Sequence, residues 1–489
     1  MTPEVNFDKN DAQFLQRIIE LNFNDPRCQS AIKYCFSVVA AVVIMARIAG
    51  NNNCRAQRLF WLENLESLKS MFYGLDDEVP SEQTIRRVIS GVKAEETIKF
   101  LTEYFAVYQK NTQTPEDQVL LSERDVIAAD GQNIRATRQT KKGNDARKST
   151  GYDLVSLYST KYGLTISQRA VDKKNHEADA ILEMIETLNL RNCILTWDAI
   201  NTRAVTLEAV VKALADFVVC LKANQGELFD VIEEAFSWLD VDKFQGDVLS
   251  SSRTSSDHGR IETKEISILK AEDILNTELK RKWPHVHSVI RVRTSRIYKS
   301  SGVQTEDRED RYFISSITPD GLDDSFAATM QDIILSRWQI ESRHWVIDVV
   351  FGQDALPLRN KEYIENSTVY TKIACNVLSY IRDNVPKYNG KPWSFESLQI
   401  LARKAKTNFM FLKAFFTKDM SEIENDERFI GIFYKAPEPT GNDVPDNLEV
   451  TGHENQIDDS FKLANLVRRS SKIKSKRKLR YSSISESHC

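Results

Sequence analysis

The chain has 489 residues, 41% hydrophobic and 28% charged, with a formal net charge of -4, the balance of a globular protein of two or three domains. Its seven cysteines, at 28, 35, 54, 193, 220, 375 and 489, form no CxxC pair and no zinc-ligand spacing with histidine, which excludes a disulfide scaffold or zinc module and points to reduced thiols. The longest apolar run, FSVVAAVVIMARIAG, reaches Arg47 short of the roughly 20 residues that span a bilayer, and no secretion signal precedes it; the expectation is a core helix in a cytoplasmic protein.

Up to about residue 120, apolar residues recur three and four apart, as in DAQFLQRIIELNF, RLFWLENLESLKSMF and AEETIKFLTEYF. This predicts a helical N-terminal domain over 1–120. Within it, Pro80 and Ser81 open a short helix carrying Arg86 and Arg87, which suits either a DNA-reading helix or a surface helix with two solvated arginines. From Asp125 the pattern changes. DVIAADG predicts a strand ending at Asp130, YDLVSLYST and GLTISQRAV two more joined by KYG, and HEADAILEMIETLNL a helix. Strand NCILTWDA, helix TRAVTLEAVVKALA, strand DFVVCLKA and helix GELFDVIEEAFSWL follow. The alternation predicts an α/β domain over 121–385, a mixed sheet flanked by helices.

Between about 245 and 320, RIETKEISIL, HSVIRVRTSRIY and DRYFISSI predict a β-rich insertion. One long helix is expected from about Ser325 through Phe351, a second in NSTVYTKIACNVLSYIRDN, and a C-terminal helical region over 386–436. Residues 437–489 are poor in large apolar residues, and RRSSKIKSKRKLR carries eight basic residues and no acid. A disordered basic tail with non-specific attraction for nucleic acid is expected there.

Three acids stand out by position: Asp130 and Asp198 at the ends of the first and fourth strands, and Glu341 within a largely apolar helix. If those strands are neighbours, as in an RNase H-like sheet, the aspartates meet and a packed helix supplies the glutamate. Clustered carboxylates repel one another, and keeping them ionised calls for a cation between them. Mg²⁺ is the natural occupant, and two such ions about 3.5–4 Å apart serve phosphodiester chemistry. Each aspartate alone reads as a cap or turn residue, and Glu341 alone as a solvated helix position. Against that, Ile334, Arg337, Glu341, His344 and Asp348 follow spacings of 3, 4, 3 and 4 and form one stripe along a helix.

These segments, in order, resemble the DDE transposases of bacterial insertion sequences, in the H-repeat-associated branch. IAADGQNIRAT is similar to the family's first-Asp strand and ILTWDAINTR to its second. DLVSLYSTKYGLTISQRAVDKKNHEADAILEMI is similar to its hairpin and helix, DFVVCLKANQGELFDVI to its L-K-x-N-Q segment, DHGRIETKEI to its H-G-R-x-E motif, and SRWQIESRHWVIDVVFGQDA to its glutamate helix. The ordered set spans roughly Asp125 to Arg382. The resemblance implies an RNase H-like core with a β-rich insertion, with Asp130, Asp198 and Glu341 as the catalytic, metal-binding triad for two Mg²⁺ ions, Mn²⁺ substituting. It further implies cleavage and strand transfer at element ends, with DNA as partner and a homodimer on it. The chain departs from the pattern at Gln132, where a lysine is common, and at Ile334 and Asp348 within the Tyr-Arg-Glu-Lys signature.

Other polar residues are candidates for DNA contact, each with a plainer reading. The segment RATRQTKKGNDARK holds six basic residues and one acid; Arg135, Arg138, Lys141 and Lys142 either line the DNA path or form a solvated loop. Lys222, Asn224 and Gln225 either meet phosphate or order their loop. His258 and Arg260 share a strand face with Glu262, where a cross-strand ion pair is the alternative. Arg337 either orients Glu341 or holds phosphate, and His344 reads as a hydrogen-bonded structural histidine. The leading expectation is a metal-dependent transposase; the rivals are a Mg²⁺-dependent nuclease without strand transfer and a domesticated protein that only binds DNA.

Overall fold

The computed structural model describes residues 32–104, 120–137, 151–171, 176–257, 259–298, 306–319, 323–355, 360–384 and 396–417, with scattered positions between 12 and 27. The tail expected over 437–489, together with Arg138, Lys141, Lys142 and His258, lies outside the described residues.

The N-terminal region is helical: α1 Phe36–Ile48, α2 Cys54–Glu63, α3 Leu65–Met71, α4 Glu82–Gly91 and α5 Ala94–Tyr104. Because α1 is apolar on every side it is buried along its whole length. Polar side chains start the others: Asn53 accepts from the Ala56 N–H and Ser81 from that of Thr84, satisfying amides that have no partner within the helix.

The described strands are β1 Val126–Ile134, β2 Tyr152–Ser159, β3 Leu164–Val171, β4 Ile194–Thr196, β5 Asp216–Leu221, β6 Val248–Asp257, β7 Arg260–Lys270, β8 Ser288–Tyr298 and β9 Glu306–Ser315. They form one sheet in the order β3-β2-β1-β4-β5-β9-β8-β7-β6. β4 runs parallel to both β1 and β5, while the other pairings are antiparallel. The strands of the 245–320 segment thus do not stand apart: β9 pairs with β5 and carries the sheet onward.

Helices α6 Glu177–Thr187, α7 Ala204–Lys212 and α8 Glu227–Asp240 cover one face, where Ile127, Ala129, Leu195, Trp197 and Phe217 point. The next residue along each strand points the other way. Val126, Ile194 and Val218 therefore pack on Phe326, Met330 and Ile334, and Ala128 on Ile340. After the short α9 Thr277–Lys282, that second layer comprises α10 Asp324–Ser336 and α11 Gln339–Trp345.

Here the structure corrects the expectation of one long helix. The turn tightens at Arg337 and Trp338, where Trp338 N–H bonds back to Leu335 O (3.4 Å) and Ile340 N–H to Arg337 O (3.2 Å), and a π-turn over Val346–Val350 follows. Such departures mark places where side chains compete with regular helix geometry; Trp338 packs under two cations, Lys264 at 5.5 Å and Arg311 at 5.6 Å.

The last described helices are α12 Lys361–Asn384, α13 Leu398–Thr407 and α14 Phe409–Thr417. They share one apolar core with α1 to α5, so helices from both ends of the chain pack as a unit. Arg47, fully buried at the end of α1, joins them by donating to Ser367 O (3.0 Å), Ser367 Oγ (2.8 Å) and Thr371 Oγ1 (2.5 Å).

Candidate active site

Strand register sets the two aspartates at the same level. Ala128 pairs with Thr196 at the last rung between β1 and β4, so Asp130 and Asp198 each lie two residues beyond it, on the face toward α11. β1 does not end at Asp130, as the sequence suggested. It continues to Ile134 along β2, and what ends at this level is its parallel neighbour. Pairing on one side holds Asp130 in place while the loss of pairing on the other opens a cleft.

Asp198 precedes a short 3₁₀ turn, Ala199–Asn201, yet its side chain makes no capping bond. Its Oδ1 accepts from Arg337 Nη1 at 3.0 Å instead. The second guanidinium nitrogen of Arg337 lies 4.0 Å from Glu341 Oε1, and His344 Nδ1 stands 3.3 Å from Asp130 Oδ2. Farther along the stripe, Gln132 Nε2 donates to Asp348 Oδ1 at 2.6 Å. Arg337, Glu341, His344 and Asp348 therefore face the C-terminal side of β1 and β4 in sequence order. The departures at Gln132 and Asp348 meet each other: where two lysines would repel, an amide donates to a carboxylate. Ile334 is buried in the core below. Burial pushes the Asp348 carboxyl up to about 6 against the opposing hydrogen bond from Gln132, and burial, with the charge of Asp198, pushes the Cys220 thiol up.

Asp198 and Glu341 line a cleft of about 820 Å³ closed on the far side by Arg311, Trp338 and Tyr312. The turn that follows Asp198 is clamped. Asn224 Nδ2 and Gln225 Nε2 both donate to Ala199 O, at 3.0 and 2.7 Å, while Thr202 Oγ1 donates to Cys220 O at 3.0 Å. Of the two readings for Asn224 and Gln225, ordering the loop is the one observed; Lys222, exposed, also lines the cleft. Arg260 lies 3.4 Å from Glu262, which also meets Arg296 at 2.9 Å from the paired position on β8, the cross-strand ion pair. Arg135 is taken up by Asp354 at 2.6 Å. Among the described residues, the side chains singled out for DNA contact that line the cleft are Lys222 and Arg337.

Sequence reading missed the cleft wall of Arg311 and Trp338, whose approach depends on β9 joining β5, and it missed Glu177. That residue sits in the first turn of α6, where an acid is unremarkable beside the helix dipole.

The three acids supply hard oxygen donors, and their side chains are 37% (Asp130), 47% (Asp198) and 57% (Glu341) exposed. That donor set fits Mg²⁺, which keeps much of its water and takes only one or two carboxylates. The acids do not converge on one point: among the described residues no group of three or more His, Cys, Asp or Glu is gathered closely enough to hold a metal ion. Instead the Arg337 guanidinium is the positive partner of Asp198, and the His344 ring stands beside Asp130.

The family model of the transposase DDE domain matches residues 121–377, more than half of the chain, and the DDE_Tnp_1-associated model matches residues 21–105. The chain belongs to the transposase DDE domain family. It is similar to the Escherichia coli O157:H7 protein named "Putative transposase YncI", 28% identical over 361 residues that cover 73% of this chain and 86% of that protein. It is also similar to H repeat-associated YhhI of Escherichia coli (strain K12), 26% identical over 350 residues, 71% of this chain and 86% of that one. No helix of the described residues is long and apolar enough to cross a membrane.

Proposed function

We propose that the chain is a DNA transposase that cuts strands at the ends of an insertion sequence and joins the freed 3′-hydroxyl to target DNA, with Asp130, Asp198 and Glu341 as the catalytic carboxylates on an RNase H-like core. The observation that carries this reading is the register of β1 and β4, which levels Asp130 with Asp198 under the α11 stripe that bears Glu341. The order β3-β2-β1-β4-β5, an antiparallel meander followed by parallel strands, supports it, as does the family.

Asp130, Asp198 and Glu341 would hold the divalent ions. When bound, Mg²⁺ acidifies water and neutralises charge gathering on a phosphate undergoing in-line displacement. The protein's part is placement. Arg337 and His344 hold two of the carboxylates in fixed orientations, the Asn224 and Gln225 amides keep the Asp198 turn from shifting, and Lys222 draws the phosphate backbone to the cleft. Helices α1 to α5 would bind the element's terminal repeats, and pairing of two ends calls for a homodimer on DNA. The experiment is product analysis on a 3′-labelled duplex carrying the DNA that flanks the coding region, with Mg²⁺ and a target plasmid. Strand-transfer products are expected; cleavage without joined products identifies a nuclease, and binding without cleavage a DNA-binding relic.

A further inference from the structure

The helix-covered face below the cleft holds an acid that the triad does not use. Asp130 points toward α11, so the next residue, Gly131, presents its Cα to α6, and there the Glu177 carboxylate lies directly against it. A Cβ at Gly131 would fall 2.5 Å from Glu177 Oε1 and 2.9 Å from Cδ, closer than side-chain atoms approach one another. Glu177 Oε2 in turn accepts from Asn201 Nδ2 at 3.1 Å. Asn201 is 4% exposed and ends the turn that begins at Asp198. One carboxylate therefore touches the residue after Asp130 and grips the turn after Asp198, at the level where β1 and β4 no longer bond to each other.

Resting on the catalytic reading above, we propose that Glu177 is a positioning residue of this site, fixing the separation of Asp130 and Asp198 where the sheet no longer does. Helix α6 is rigid and packed on the sheet through Ile181, Met184 and Ile185, so its first turn is a firm anchor. The contact also accounts for the glycine of the Asp-Gly pair: any side chain at 131 displaces the carboxylate and, with it, Asn201. Misplacement of a reacting group by about 1 Å costs on the order of a hundredfold in rate.

The test uses Glu177→Ala, Glu177→Gln, Gly131→Ala and the double variant Gly131→Ala/Glu177→Ala in the full chain. Glutamine keeps the shape and an oxygen acceptor for Asn201, so E177Q should cut DNA at close to the wild-type rate while E177A loses about a hundredfold in kcat with DNA affinity unchanged. G131A should be slow by itself yet add nothing in the E177A background, because the group it displaces is already gone. Hydrogen exchange of the amides at 199–202 supplies a readout independent of catalysis: faster in E177A and G131A, unchanged in E177Q. Equal loss in E177Q and E177A, additive effects of the two alanines, or unaltered exchange in E177A overturns the proposal. These exchange differences among the variants, together with a wild-type chain that never cuts DNA, overturn the catalytic reading and leave the anchor standing.

Discussion

Arg337 Nη1 donates to Asp198 Oδ1 at 3.0 Å across 139 positions of sequence, and its other terminal nitrogen lies 4.0 Å from Glu341. One guanidinium thus stands between two of the three carboxylates. Arginine suits this place because its planar fork addresses two acceptors without deprotonating. Replacing it by Gln removes the fixed positive charge and leaves two acids to repel each other. R337Q should bind Mn²⁺ more tightly, read by titration of the protein alone, and cut DNA about a hundredfold more slowly. Weaker Mn²⁺ binding would show that Arg337 gathers the carboxylates rather than balancing them.

The clamp on the Ala199 carbonyl makes a second prediction. Asn224 and Gln225 donate to the same oxygen, so either alanine variant should slow cleavage by about tenfold, and the double variant by less than the product of the two. DNA affinity, read by gel shift, should hardly move. A large fall in affinity would return these amides to the role of phosphate contacts.

Stability should pass through a minimum near neutral pH. Burial pushes the Asp125 carboxyl from its ordinary 3.8 up to about 6, against hydrogen bonds from Ser159 Oγ and the Lys161 N–H. A raised carboxyl pKa means the folded state holds the proton more tightly, so its stabilising contribution is complete below about pH 4 and is lost as pH rises through 6. Lys372, fully buried beside Gln168, is pushed the other way by burial, from 10.5 down to about 7. Its contribution is complete above 10.5 and is lost as pH falls through 7. Urea unfolding across pH 4 to 10 reads both limbs. Asp348, also raised to about 6, shares the acid limb, so D125N should shrink that limb without abolishing it and K372M should flatten the alkaline one; a variant that leaves its limb unchanged removes that group from the account.

Much of this arrangement was legible in the sequence, and what was not has identifiable causes. The 3-4-3-4 spacing found the stripe Arg337, Glu341, His344 and Asp348 because helical periodicity is local. Taken alone Asp198 reads as a cap, because what speaks against that is its bond to Arg337, a contact no window of sequence contains. The end of the first strand was misplaced at Asp130, since pattern reading does not distinguish a strand that stops from one whose neighbour stops. The long helix reads straight through Arg337 and Trp338 because the cations that pack on Trp338, Lys264 and Arg311, come from other strands. Glu177 was invisible for the same reason: its meaning lies in Gly131 and Asn201.

Asp198→Asn measures the central claim most directly. The substitution keeps size and an oxygen to accept from Arg337, removes the charge, and sits on a half-exposed side chain, so the fold should be retained. On a labelled duplex carrying the DNA that flanks the coding region, the wild-type chain should nick and join strands only with Mg²⁺ or Mn²⁺. D198N should bind the same duplex with unchanged affinity and release no cut product. A D198N variant that cuts at the wild-type rate would contradict the assignment of Asp198, and with it the site that β1 and β4 build.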